Sequence, residues 1–187
     1  VVIPNPTAQV ISLQAGEVDI VPHIWNYDMV EPLMEEPDLK VIQGRGGSYR
    51  GLGFNVTVAP FDDLDVRRAI SQIIDIDEAV SIMLDHSERA YGQVPPWVPF
   101  GYDPTLADLW EYDPDEGIAT LEANGFEAEN GDGFYEWNGD PFEIDLKTLP
   151  GSQVQVLTII ATQLREAGIN ASVLQQDVAV WADDLVN

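Results

Sequence analysis

Cysteine is absent from this sequence, and histidine is nearly so. With no cysteine in 187 residues, neither disulfide bonds nor thiolate metal ligands are available. The only histidines are His23 and His86, so a histidine-based metal site or catalytic relay would have to use one of them. No Gly-x-Ser-x-Gly motif and no phosphate-binding Gly-Lys motif occurs. These absences predict a protein that is not an enzyme and has no metal or other cofactor.

Positive charge is also scarce. The chain has 8 basic residues against 33 acidic ones, a net charge of −25, whereas a small domain usually has a net charge of magnitude roughly 2–8. Nucleic acids and anionic membranes require a basic face, so neither is an expected partner. Such a surface repels itself at low ionic strength and requires counterions. This composition indicates a halophile, an archaeon living in molar salt; an ordinary acidic secreted protein is the alternative.

No apolar run approaches the roughly 20 residues of a transmembrane helix, yet 45% of the residues are apolar, which is enough for a core. Helical and extended patterns alternate, which predicts an α/β fold with a mixed sheet and covering helices. We expect Thr7, Asp77 and Asp113 to cap helices, and Asn138-Gly139 to close a hairpin. The predicted helices are 7–16, one from Asn26 or Asp28 to 36, 63–75, 78–85, 114–124, one from Ser152 or Gln153 to 167, and 178–186. The predicted strands are 18–22, 39–43, 48–58, 134–137, 142–149 and 169–174.

The most informative motif begins within the predicted strand 48–58 and ends at Asp77, directly before the predicted helix 78–85. It consists of Leu52-Gly-Phe-Asn55, Ala59-Pro-Phe-Asp-Asp63, Asp65-Val-Arg-Arg-Ala-Ile-Ser71 and Asp75-Ile-Asp77. This pattern resembles the family 5 extracellular solute-binding proteins, the peptide- and oligopeptide-binding subunits of ABC importers. Shorter matches lie on both sides of this motif in the family's order. Ala8 to Ile20 precedes it; Val94-Pro-Pro-Trp97 with Gly101-Tyr102, Tyr112-Asp-Pro114, Leu121 to Phe126 and Gln163 to Val173 follow it.

The resemblance implies a two-lobe periplasmic-binding-protein-like (type II) fold that closes around a solute. It places residues 1–47 in the first lobe, leading to the hinge, and residues 48–187 in most of the second lobe. It also implies a monomer that delivers its ligand to a membrane permease from outside the cytoplasm, anchored to the cell surface. Because family members are far longer and Val1 is not a methionine, we expect an internal fragment. Two alternatives are a ligand-binding receptor module for chemosensing and an acidic glycan-acting enzyme.

The loop Leu149-Pro-Gly-Ser-Gln153 is the first candidate for the binding site. It follows a predicted strand and precedes a helix, where backbone N–H groups are available to a ligand. In peptide-binding relatives the corresponding loop can carry an arginine for the ligand carboxylate. Here Ser152 and Gln153 stand without a basic residue, which favours a neutral ligand. The alternative is that Ser152 only caps the helix.

Further candidates follow two earlier strands. His23 and Trp25 come after the strand 18–22, where an aromatic ring could stack on a ligand and an imidazole could donate a hydrogen bond; alternatively Trp25 packs within its lobe. Tyr49 is a candidate aromatic residue of the cleft. Arg45 and Arg50 either bind an anion or pair with carboxylates of the protein.

Overall fold

A computed structural model describes residues 1–24, 27–46, 49–83, 87–98, 100–109, 111–128, 131, 133–151 and 153–186; for residues 27, 108, 185 and 186 it describes the backbone alone. Helices and strands alternate through the second half of this chain. The α-helices are α1 Pro6–Gln14, α2 Val30–Glu35, α3 Leu64–Ile73, α4 Ile76–Ser81, α5 Pro114–Ala123, α6 Gln153–Glu166 and α7 Val178–Val186. The strands are β1 Phe126–Ala128, β2 Tyr135–Trp137, β3 Asp140–Pro141, β4 Glu143–Thr148 and β5 Asn170–Gln175; two 3-10 helices are Tyr27–Met29 and Pro104–Leu109.

The core lies between α3, α5 and α6 and the strands that follow them. Helix α3 buries Val66, Ala69, Ile70 and Ile73 on one face, at the i, i+3, i+4, i+7 spacing that the sequence shows. Helix α6 buries a similar stripe from the other side. The largest residues of the central cluster include Ile70, Leu121, Phe126, Leu164 and Ile169. No described helix has the length and apolarity needed to cross a membrane.

The described strands pair in two sheets. Strands β1, β2 and β3 form an antiparallel sheet in that order, and β4 and β5 form a parallel pair in which Glu143 aligns with Asn170 and Thr148 with Gln175. Helix α6 connects the two parallel strands, so β4, α6 and β5 form a βαβ unit. Parallel and antiparallel pairing therefore coexist among packed helices, and the predicted α/β class is confirmed.

Helix starts depend on short polar residues, although not always on the predicted ones. Asp113 caps α5 as expected, accepting from Glu116 N at 3.1 Å, and Pro114 follows at the first helical position. The Thr7 and Asp77 predictions were wrong, because Asn5 caps α1 and Asp75 caps α4. In both cases an acidic or amide residue two positions earlier provides the acceptor and lengthens the helix at its start.

Three extended segments do not form strands in the described part of the chain. Residues 18–22, 39–43 and 49–55 have no regular secondary structure, a turn begins at Val56, and residue 48 of the predicted strand lies outside the described residues. The side chains of Ile20 and Ile42 are 79% and 80% exposed. A strand requires a neighbour to satisfy its backbone groups, and the described residues place none beside these segments.

The predicted hairpin is correct at its turn and wrong in its second strand. Asn138 and Gly139 have φ values of 55° and 82°, as a tight hairpin turn requires, but only β3 pairs back onto β2. Phe142 N still donates to Tyr135 O at 2.9 Å, but Tyr135 N donates to Gly168 O at 2.7 Å and not back to Phe142, so the ladder ends there. Phe142 turns into the core, where its ring meets Phe126 edge-on at 4.8 Å between centroids, and β4 leaves to pair with β5.

Candidate ligand-binding site

The carboxyl ends of β4 and β5 form the edge at which a ligand site is expected. Because the two strands are parallel, the chain leaves the sheet on the same side after each strand and then enters a helix. Residues 149–151 lead from β4 toward α6, and Gln176 and Asp177 lead from β5 into α7. In open α/β proteins, ligands bind where strands end and helices begin. The structure therefore places Gln153, the first residue of α6, at this edge.

Residues 49–55 reach the same edge through Arg50. Arg50 Nη1 donates a hydrogen bond to Gln153 Oε1 at 3.4 Å, across 103 positions of sequence. Both side chains are accessible to solvent. Tyr49 directly precedes Arg50 in the sequence. The contact therefore brings the part of the chain that holds this candidate close to Gln153 of the candidate loop after β4.

Tyr49 lies next to Arg50 with 46% of its surface exposed. Its ring turns back over Gly51 so closely that any Cβ at position 51 would overlap the phenol oxygen. A glycine two residues after the tyrosine is thus required for this placement of the ring. Tyr49 is an amphipathic aromatic residue one position before Arg50 in the sequence, a residue type suited to contact with organic solutes.

A polar cluster continues the edge on the β5 side. Asp184 of α7 accepts from Lys147 Nζ at 2.8 Å and from Gln176 Nε2 at 2.7 Å. These hydrogen bonds, with that from Lys147 first, hold the pKa of Asp184 below its ordinary value of 3.8. The Oε1 atom of the Gln176 amide is shielded from solvent and has no hydrogen-bond partner among the residues that the structure describes. Sequence reasoning missed this cluster because Lys147, Gln176 and Asp184 share no local motif.

The remaining predicted site residues are not all brought to this edge. His23 is exposed on the irregular stretch between α1 and α2, and its membership of a binding site stays a prediction. Trp25 and Ser152 lie outside the described residues, so the aromatic role of the first and both interpretations of the second, ligand contact or helix cap, also stay predictions.

Arg45 and Arg50 differ in their partners. Arg45 lies 3.7 Å from a carboxylate oxygen of Glu88, and its guanidinium stacks over the ring of Trp97 at 4.9 Å. The Trp97 indole donates to Gly46 O at 2.9 Å, so Arg45 belongs to a structural cluster. Arg50 has a neutral amide as its partner, and among the described residues no carboxylate oxygen lies within 4.0 Å of its guanidinium.

Two shallow depressions occur elsewhere, both along the later turns of α6. The larger, about 270 Å³, is lined by residues that include Ile118, Tyr135, Arg165 and Gly168. Arg165 is roughly 18 Å along the helix from Gln153 at 1.5 Å per residue. Neither depression includes Arg50 or Gln153 among its lining residues.

Comparison with known families identifies the chain. The model of the bacterial extracellular solute-binding proteins, family 5, matches residues 1–187. The chain belongs to this family. The family 5 resemblance predicted from the motifs around Pro60 and Asp63 is thereby confirmed.

One relative and its structure support the family assignment. The oligopeptide-binding protein AppA of Bacillus subtilis is 30% identical over 97% of this chain and 33% of its own length. The structure of AppA in complex with a nonapeptide superimposes with a TM-score of 0.77 at 27% identity, covering 97% of this chain and 36% of that one.

More distant structures share the fold. The protein NikZ of Campylobacter jejuni, solved with Ni(L-His), gives a TM-score of 0.79 at 20% identity over 94% of this chain and 35% of its own. A mannohexaose-bound oligopeptide-binding protein of Thermotoga maritima gives 0.72 at 22% identity, over 98% and 36% respectively. The family 5 chain described here thus spans about a third of the length of the relatives that it matches.

Proposed function

We propose that this family 5 chain contributes one wall of a ligand cleft in the substrate-binding component of an ABC importer. In that role it captures a small solute or peptide between two lobes and delivers it to a membrane permease. The observation that carries the proposal is the Arg50–Gln153 hydrogen bond. It joins the extended segment at the predicted lobe boundary to the strand-to-helix edge where a ligand is expected.

The proposal assigns the two parts of the chain to different lobes. Residues 1–47 belong to the first lobe and lead toward the hinge, and residues 48–187 form most of the second lobe. The folded core supports this division, because its buried cluster runs from Val66 to Ala171, and the partly buried residues packed against it begin at Phe54. The whole protein acts as a monomer outside the cytoplasm, anchored at the cell surface, and does not bind nucleic acid.

Ligand capture without catalysis is the activity that we propose. Family membership supports it, since the family consists of solute-binding proteins. Affinity in such a cleft comes from burial of the solute and from a few placed hydrogen bonds, and lobe closure signals occupancy to the permease. Tyr49 supplies apolar contact area, and Arg50 and Gln153 supply hydrogen bonds.

The relatives define which solutes deserve testing. Their structures hold a nonapeptide, a nickel–histidine complex and mannohexaose. We propose a solute from one of these three classes. The test is thermal unfolding of the full-length protein in molar KCl, with panels of di- to nonapeptides, nickel–histidine and neutral oligosaccharides.

A ligand that binds only the native state raises the melting temperature in a saturable manner, by an amount that grows with the ratio of its concentration to Kd. We expect saturable stabilisation by one class and none by the other two. The absence of a shift with every class would contradict the proposal for these solutes. Hydrolysis of any panel member during incubation, measured by mass spectrometry, would contradict the proposal that the protein is not an enzyme.

A further inference from the structure

Two Asn-x-Ser/Thr sequons occur in this chain, and they lie in different local structures. They are Asn55-Val56-Thr57 and Asn170-Ala171-Ser172; Asn5-Pro6-Thr7 does not qualify, because proline stands in its middle position. Such a pattern is the acceptor of N-linked glycans and is used where it lies on an accessible surface loop. The local structure around each asparagine therefore decides which of the two can be modified.

The first sequon lies in a solvent-exposed turn. The backbone carbonyl of Asn55 accepts from Val58 N at 3.3 Å, and its side-chain Oδ1 accepts from Thr57 N at 3.1 Å and from Thr57 Oγ1 at 2.6 Å. All three residues of the sequon are exposed. Neither this turn nor residues 49–55 belong to a sheet in the part of the chain that the structure describes, so no strand pairing has to be broken to reach them.

The amide nitrogen of Asn55 is the atom that would carry a glycan. The hydrogen bonds within the turn use Oδ1, and among the described residues Nδ2 donates no hydrogen bond. The neighbouring side chains of Val56 and Val58 are 53% and 52% exposed, so the turn stands clear of the core. A bulky group on Nδ2 therefore has room to extend into solvent.

The second sequon is held in the parallel pair of β4 and β5. Asn170 Nδ2 donates to Glu143 Oε1 at 2.9 Å, and Ser172 Oγ donates to Asp145 Oδ1 at 2.7 Å. These partners stand opposite each other in the ladder, and Ala171 between them is fully buried. A transferase would have to detach β5 from β4, and such an opening of a core strand is populated in about one molecule in 1,000 or fewer.

We propose that Asn55 is an N-glycosylation site of this protein and that Asn170 is not. In the transfer, Asn55 Nδ2 attacks the anomeric carbon of a glycan that is linked to a polyprenyl phosphate. An N–C bond forms, the C–O bond to the phosphate breaks, the polyprenyl phosphate leaves, and Nδ2 loses one proton to a base of the transferase. This modification is independent of solute capture and requires only that the protein meets the transferase outside the cytoplasm, as proposed above.

The test is glycan transfer to the folded full-length protein in vitro. The protein is incubated in 1 M KCl with an archaeal oligosaccharyltransferase that is active in this salt and with a polyprenyl-phosphate-linked oligosaccharide. Proteolysis and mass spectrometry give the initial rate of modification at each asparagine. Synthetic peptides of residues 50–60 and 165–176 measure how well the enzyme accepts each sequon without the fold. The variants are Thr57→Val, which removes the hydroxyl of the first sequon, and the matched control Ser172→Ala, which removes that of the second.

We expect both peptides to accept the glycan, since each contains the complete pattern. In the folded wild type, the rate at Asn55, divided by that of its peptide, should exceed the corresponding ratio at Asn170 by a factor of about 100 or more. Thr57→Val should abolish modification at Asn55, and Ser172→Ala should leave it unchanged. Because the wild type is measured directly, the result does not depend on the folding of either variant.

Failure of Asn55 to accept the glycan, in the folded protein or in its peptide, would overturn the proposal. Modification of folded Asn170 at the rate of its peptide would do so as well, since the fold would then not select between the sequons. If the peptide 165–176 accepts no glycan, sequence rather than strand pairing excludes Asn170, and the structural explanation is wrong. Thermal shifts with solutes are measured on the same preparation, so solute binding without glycan transfer leaves the proposed function standing.

Discussion

At the scale of single residues, Tyr135 shows how one polar group is accommodated in the core. Its phenol oxygen donates to Glu122 Oε1 at 3.0 Å, and its backbone N–H donates to Gly168 O at 2.7 Å. The ring packs against Gly168, where a Cβ would meet it at 3.0 Å. Burial, followed by the hydrogen bond to Glu122 and the charge of that carboxylate, raises the pKa of Tyr135 above its ordinary value of 10.0.

This shift predicts a loss of stability in alkali. Because the native pKa exceeds the unfolded value, the phenol contributes its full stabilisation below the unfolded pKa and loses it as the pH rises through the native pKa. Tyr135→Phe should therefore lower the free energy of unfolding by about 1 kcal/mol at neutral pH. It should also flatten the decline in stability above a pH of about 10. Urea unfolding at a series of pH values measures both effects.

Tyr112→Phe is the matched control, since Tyr112 is 46% exposed. It should reproduce the wild-type curve at every pH. If the curve of Tyr135→Phe runs parallel to that of the wild type through the alkaline range, the stabilising role of the neutral phenol is wrong.

At the scale of elements, α3 and α5 pack closely against each other in the core. Gly117 of α5 lies against α3 so closely that an added Cβ would meet Ala69 O at 2.7 Å and Ile73 Cγ1 at 2.8 Å. The first of these atoms belongs to the backbone of a helix and has little freedom to move. The absence of a side chain at Gly117 therefore sets the separation of the two helices.

Gly117→Ala should destabilise the protein although alanine is the better helix former. The helix propensity gained is about 1 kcal/mol, whereas overpacking of a close interface costs about 1–3 kcal/mol. We expect a net loss of up to about 2 kcal/mol in urea unfolding. Gly53→Ala, where no atom lies within 4 Å of the added Cβ, should be close to neutral. Equal or higher stability of Gly117→Ala would contradict the packing explanation.

The sequence predicts well those elements whose ends are marked by residues within the element or next to it. Helix α5 has its Asp113 cap, Pro114 at the first turn and Gly125 after the last, all within 13 residues, and it forms as predicted. Segments 18–22 and 39–43 have strand-like composition but require a partner, and composition does not provide one. The residues of the candidate site also differ in whether local sequence is enough to predict them. Gln153 is recognisable from its place before a helix, whereas its contact with Arg50 spans 103 positions and depends on the whole fold.

At the scale of the whole molecule, the net charge of −25 determines how stability depends on salt. The acidic side chains are spread over the exposed surface, and the four ion pairs of the described residues neutralise few of them. Unfolding moves these charges apart, so their mutual repulsion destabilises the compact state. The halophilic origin predicted from composition would make this repulsion tolerable, because molar salt screens it.

Salt should therefore stabilise the protein strongly. Between 0.1 and 1 M KCl the Debye length falls from about 10 Å to about 3 Å, which is below the separation of most surface charges. We expect the melting temperature to rise steeply over this range. A variant with exposed acids replaced by their amides should begin at a higher melting temperature in 0.1 M KCl and gain less from salt; suitable positions are Glu31, Glu35, Asp38, Glu111 and Asp115. If the variant and the wild type gain equally, salt acts on apolar burial, which charge removal leaves unchanged, and the repulsion argument is wrong.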